Sequence, residues 1–320
     1  MRLMDLIGHA KAPLVLKDSY KQTLTCAAVL DAAPLVRNCP VRYVLDTRAS
    51  AQCRDLVVSA RELFRPDDDF LRVPAERFWI EWFGDPVDEA LAGPRGCDRM
   101  GALVEADAGG RRGELRLFWP EGSGAALGAT IVFDLDRRIK VPERSTELFR
   151  IRHRELGHLN TLLQHTALRL SPEWARFMAA WTEQERATRM AALAAGSWHA
   201  LPIVLAFSAM LNSGGLLEPR QTNLARLNKA RAGRQRPPLL EHIEIGMQLG
   251  FGRVAGFGGL PGADRRTPRL HYVRGHLVRR SGKTFWRTSH LRGDPVAPMV
   301  QRTVQFSGQG RVSSEASQRC

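Results

Sequence analysis

The repeat of apolar positions changes along this chain, and the expected element type changes with it. Residues 41–46 (VRYVLD) and 77–83 (RFWIEWF) are dense in β-branched and aromatic side chains and predict strands. Residues 100–106, 114–119 and 129–135 predict three more, the first two joined by a loop built on Gly109, Gly110 and Gly113. Between the first two strands, Leu56, Val57, Ala60, Leu63 and Phe64 recur at helical spacing and predict a helix over 49–64. This half reads as an antiparallel, meander-like sheet with a packed helix.

From Ser171 the period becomes helical. Ser171 suits an N-cap, Pro172 the first helical position, and Glu173 the positive end of the helix dipole. Trp174, Phe177, Met178 and Trp181 then form one apolar stripe, as a helix packed on a core requires. A nearly uncharged helix is predicted over 197–211, kinked near Pro202 and ended by residues 212–215 (NSGG). Residues 222–236 predict a short helix with Arg226, Lys229 and Arg231, followed by Arg234 and Arg236 and stopped by Pro237-Pro238. Residues 239–249 read as a strand and the glycine-dense 251–264 as a mobile loop. Residues 269–280 and 283–288 read as a β-hairpin turning at Ser281-Gly282, and the serine-rich end from 309 as a disordered tail.

The expected fold class is α+β, an antiparallel sheet with packed helices and a basic C-terminal β-rich module. The expected divisions are a mixed scaffold over 1–170, a helical segment over 171–220, the basic module over 221–305 and a tail over 306–320.

Charge sharpens that division. Residues 1–220 hold 29 Lys and Arg against 28 Asp and Glu, whereas residues 221–320 hold 18 against 5. Nearly all of the formal charge of +14 therefore sits in the last hundred residues. A basic block beside a neutral one implies a scaffold carrying a surface for a polyanion, nucleic acid above all. The longest uncharged apolar run, 200–211, has 12 residues, short of the ~20 that cross a membrane, so no membrane partner is expected. Asp5, His9 and Lys11 interrupt the first 16 residues, which do not read as a signal peptide. Five cysteines, scattered and without a C-x-x-C, suit a reducing cytoplasm. No disulfide framework, structural metal or cofactor is expected.

The densest local pattern is Arg269-x-His271-x-x-Arg274-Gly275-His276-x-x-Arg279-Arg280, followed by Trp286 and His290-x-Arg292-Gly293. Its cations suit phosphates, and Trp286 or Tyr272 would offer a stacking platform. Histidines beside an arginine also suit metal-independent nuclease chemistry, in which imidazoles move protons and a guanidinium stabilises a crowded phosphate. Strand alternation places Arg274 beside His276 and turns His271 away. No acid or cysteine within the hairpin completes a metal site, and its arginines would repel a cation.

The run Leu227-Asn228-Lys229-Ala230-Arg231, then Pro237-Pro238-Leu239, RLHYVRGHLVRR, Trp286 and His290-x-Arg292-Gly293, resembles a family of uncharacterised phage and prophage proteins. Phe78-Trp79-Ile80-Glu81-Trp82 is similar to a pattern in their N-terminal half. The resemblance spans residues 40–300 in scattered motifs and is most specific at the C-terminal signature, while the glycine-rich 250–262 is particular to this chain. It implies a mobile-element setting and no mechanism.

Nucleic-acid binding is therefore the expected function. Arg274, Arg279, Arg280, Lys283 and Arg292 would hold phosphates, Lys229, Arg231 and Arg234 would widen the patch, and Trp286 would stack a base. The alternatives are a metal-independent nuclease using Arg274, His276 and His290, and a virion or assembly component neutralising packaged DNA. Protein partners are not specified by the sequence. Two further patterns read as structural. His153-x-Glu155-x-x-His158 lacks the four-residue histidine spacing of a zinc helix, and 256–262 lacks the spacing of a phosphate loop. Trp82 is expected in the core and Glu81 beside an arginine, the alternative being an active-site carboxylate.

Overall fold

The computed structural model describes residues 2–12, 14–17, 23–26, 28–60, 63–68, 70–84, 99–121, 124–142, 145, 148–151, 157–171, 174–175, 181–213, 216–247, 271–273, 276–280, 283–287 and 290–292. Its first half runs α1 (Leu3–Gly8), β1 (Leu14–Lys17), β2 (Thr23–Cys26), α2 (Ala28–Arg37), β3 (Val41–Leu45), α3 (Thr47–Ser59), β4 (Arg77–Phe83), β5 (Arg99–Ala106), β6 (Arg112–Glu121) and β7 (Gly124–Asp134). There follow β8 (Leu148–Phe149), α4 (Asn160–Leu163), β9 (Thr166–Arg169), α5 (Glu183–Ser197), α6 (Ala200–Asn212), β10 (Leu217–Gln221), α7 (Ala225–Ala232) and β11 (Ile243–Met247). The chain ends its described course in β12 (His271–Val273), β13 (His276–Arg280), β14 (Lys283–Arg287) and β15 (His290–Arg292).

Nine strands form one sheet in the order β10-β11-β3-β4-β5-β6-β7-β9-β8. From β4 to β8 every neighbour is antiparallel, which is the meander expected of this half. β3 instead runs parallel to both β4 and β11. For β3 and β4 the reason is α3: a helix between two strands carries the chain back to its starting end, so the next strand points the same way. Asp46 opens that helix by accepting from the Ala49 N–H at 2.7 Å. A mostly antiparallel sheet with packed helices is the α+β class that the residue pattern predicts.

Strand β4 shows why the sheet is covered on both faces. Phe78, Ile80 and Trp82 enter one buried cluster with α3 and α6 residues, among them Leu56, Val57, Val204 and Phe207. Trp79 belongs to a second cluster with Leu3, Met4 and Ile7 of α1 and Ala32 and Val36 of α2. Alternating side chains thus feed two cores. The Trp79 indole lies across β5 because residue 101 is glycine: a Cβ there would sit 2.3 Å from its ring. At the β5–β6 turn Gly110 has φ +66, and a side chain would meet the Val73 carbonyl at 2.6 Å.

Two expectations change in detail. The helix expected over 197–211 is α6, which begins at Ala200 and runs to Asn212, a separate helix α5 ending at Ser197 just before it. Pro202 therefore stands in the first turn of α6, where a missing N–H costs no helical hydrogen bond. Moreover, residues 217–221 and 243–247 are strands of the nine-stranded sheet, β11 lying against β3, so the chain beyond 220 re-enters the fold of the first half. Of the stripe beginning at Ser171, Trp174 and Ala175 are helical, with the Trp174 N–H donating to Ser171 Oγ at 3.3 Å, and residues 176–180 lie outside the described residues.

The chain divides into two compact units, Met1–Leu249 with Leu277–Trp286, and Gly250–His276 with Arg287–Cys320. Among the described residues, no helix is long and apolar enough to cross a membrane.

Candidate nucleic-acid interface

Residues 222–242 leave the sheet after β10 and return to it as β11, forming an excursion between two antiparallel neighbours. No residue from 221 to 240 is acidic, and Arg226, Lys229, Arg231, Arg234 and Arg236 all lie there. None of the residues of α7 is buried, and Leu227 is 48% exposed. Arg226, Lys229, Arg234 and Arg236 are exposed, and Arg231 is half-buried. None of the five makes an ion pair among the described residues.

A cationic segment without a core would ordinarily be loose, yet this one is tied down by polar contacts. Asn228 clamps Leu239 from both sides, Oδ1 accepting from its N–H at 2.7 Å and Nδ2 donating to its carbonyl at 3.0 Å. Arg231 Nε donates to the Pro237 carbonyl at 2.8 Å. Buried Asp5 of α1 accepts from the Leu240 N–H at 2.8 Å, and His9 Nε2 lies 2.6 Å from the Pro238 carbonyl. Thr222 Oγ1 exchanges bonds with the His242 backbone, accepting at 3.0 Å and donating at 2.8 Å. Gln235 turns the chain at φ 52, just after the helix. On the returning strand, Glu244 is engaged by Arg2 at 2.5 Å. Burial pushes the pKa of His242 down. The result is a fixed display of five cations.

The arginines of the sheet behave differently. Arg77 meets Glu105 at 2.9 Å, Glu105 meets Arg116 at 3.1 Å, Arg116 meets Glu114 at 3.0 Å, and Glu114 pairs with Arg169. The five form an unbroken ladder across β4, β5, β6 and β9. Burial alone would raise the Glu114 carboxyl, but the hydrogen bonds and charges of Arg116 and Arg169 outweigh it and hold its pKa below the ordinary value.

Of the sequence-derived contact set, Lys229, Arg231 and Arg234 lie together on the excursion. That set omits Arg226 and Arg236, which the fold exposes beside them; the three-residue step from 226 to 229 is the sequence signal for the first. Arg279, Arg280, Lys283 and Trp286 occupy β13 and β14, which pair with each other, whereas the first part of the strand expected over 269–280 is β12, paired with β15 in a separate sheet. Arg292 and His290 occupy β15, whose antiparallel register with β12 sets His271 opposite Arg292 and Val273 opposite His290. His276 opens β13. Arg274, the glycine-dense 251–264 and the tail lie outside the described residues.

Glu81 is a structural carboxylate. It is 1% exposed, accepts from the Leu3 and Met4 N–H groups at 3.2 and 3.3 Å, and pairs with Arg99 at 3.0 Å. It caps α1 from the sheet and is closed off from solvent, while Trp82 is in the core as expected. His158 binds the Val57 carbonyl at 2.9 Å, and His153 and Glu155 lie outside the described residues. Among the described residues, no group of three His, Cys, Asp or Glu side chains is arranged to hold a metal. Cys39 and Cys53 are free and buried, burial pushing the Cys53 thiol up to about 12. No protein-family model, curated protein or solved structure matches the chain.

Proposed function

We propose that this is a nucleic-acid-binding protein, and that its phage or prophage setting follows from the sequence resemblance. The observation that carries the reading is the excursion between β10 and β11, where five cations over eleven positions have no carboxylate partner among the described residues. A fixed, uncompensated cationic surface gains most from a polyanion, since each phosphate it neutralises releases a condensed counterion. The hydrogen-bonded anchoring supports the reading further, because ordering the segment has been accomplished before any partner arrives. Arg279, Arg280 and Lys283 extend the proposed contact set, with Trp286 as the stacking residue, and Arg274 and Arg292 are proposed as phosphate contacts of the other compact unit.

The direct experiment is binding of a labelled DNA and RNA mixture across salt concentrations. With the four exposed cations in contact the logarithmic slope should be about −3. An affinity indifferent to salt would discard the reading.

A further inference from the structure

We infer that α7 and the turn after it are built to take double-stranded DNA, in preference to unpaired strands or duplex RNA; this rests on the nucleic-acid reading above. Asn228 and Arg231 face the returning segment, where they bind Leu239 and Pro237. Successive helical residues step about 100° around the axis, so the opposite face carries Arg226, Lys229, Ala230 and Gly233. Cations therefore flank small side chains on the side turned away from the anchor. The glycine is not demanded by the backbone: Gly233 has φ −62, and an added Cβ would meet nothing closer than the Ala230 carbonyl at 3.7 Å. A slim outward face lets a helix approach a groove closely, with its cations reaching the phosphates on either side.

Three chemical arguments select the duplex. Single-strand binders line the path of the strand with aromatic rings, and residues 217–247 contain no Phe, Trp or Tyr, the proposed stacking residue Trp286 lying outside this segment. The eight residues of α7 make a rod about 12 Å long. The major groove of B-form DNA, about 12 Å wide, admits a helix, whereas that of A-form RNA is too narrow for side chains to enter.

The test uses the full chain with three labelled 20-mers, namely duplex DNA, oligo-dT and duplex RNA, measured by anisotropy over a salt series. Per phosphate, duplex DNA has a steeper salt response than a single strand, so four contacts give it an advantage of about sixfold near 0.1 M salt. Equal or tighter binding of oligo-dT or duplex RNA would overturn the duplex inference and leave the nucleic-acid reading in place. Binding of none of the three would remove both. Adding bulk with Ala230→Leu and Gly233→Leu should weaken duplex DNA binding about tenfold with an unchanged melting curve. Removing charge with Arg226→Gln and Lys229→Gln should weaken it about fiftyfold near 0.1 M salt. A folded Leu variant that binds duplex DNA like the parent would show that this face does not dock.

Discussion

Arg77, Arg116 and Arg169 stand across the sheet with Glu105 and Glu114 between them, each guanidinium within salt-bridge reach of a carboxylate. Arg226, Lys229, Arg234 and Arg236 stand on a segment with no acidic residue of its own and no ion pair among the described residues. Both groups are charged and at least partly solvated. They differ in whether the opposite charge is already present. The ladder satisfies its cations internally and leaves little for a partner. The excursion spends its polar bonds on backbone carbonyls and amides, through Asn228 and Arg231, and keeps its cations open. Composition alone would score the two alike, so local compensation is what separates a structural arginine from an available one.

The sharpest way to break this comparison is to remove the open charges together. Replacing Arg226, Lys229, Arg234 and Arg236 by glutamine should cost about 10³-fold in nucleic-acid affinity near 0.15 M salt. Urea unfolding should move by no more than about 0.5 kcal/mol, as for surface changes generally. Unchanged affinity would make the excursion as inert as the ladder.

The next largest effect belongs to the buried end of the compensated class. Glu81→Ala strips an acceptor from Leu3, Met4 and Arg99 at once and should destabilise the fold by about 3 kcal/mol, read by urea denaturation. Nucleic-acid affinity measured below the transition should stay level.

Acidification probes a third environment, where a cation has no place. His199 is fully buried with both ring nitrogens unpartnered among the described residues. Burial, helped by the positive charge of Arg54, pushes its pKa down to about 4. The unfolded chain, with an ordinary pKa near 6.5, takes up the proton first, so stability is complete above about pH 6.5 and falls as pH drops toward 4. Between pH 7 and 5 the loss should be about 2 kcal/mol, and His199→Phe should flatten that part of the profile. A profile equally steep in the variant would assign the loss to other groups.

The smallest effect sharpens the ladder. Arg116→Gln interrupts it at the centre and should cost about 1 kcal/mol at low salt, shrinking in 1 M salt, with nucleic-acid affinity unchanged. Because Glu114 is held below its ordinary pKa, its share is present above the usual carboxylate range and disappears as pH falls through the lowered value.

Several elements are legible in the residue pattern alone. RFWIEWF predicts β4 to the residue, because alternating aromatic and aliphatic side chains with a core on each side have few other uses. The helix within 222–236 is legible from its ends, Pro237-Pro238 above all, and its cations can be named from the pattern. β10 is not, since LEPRQ holds a proline and two charges; such a strand is tolerated because it is the edge of the sheet. Nor is the anchoring of the excursion by Asp5 and His9, which lie more than two hundred positions away. For Glu81 the residue pattern offers two roles, and the position of α1 chooses between them.

By itself the sequence determined the kind of elements, through the period of apolar positions, and the concentration of positive charge in the last hundred residues. Only the tertiary structure decided which cations are cancelled. Ion pairing acts over a few ångströms, and the partners here are brought that close by strand register and chain return. Glu114 lies 55 positions from Arg169, and Arg2 lies 242 from Glu244. Residues 221–240 received no such partner in the described fold, and a local charge count could not have known it.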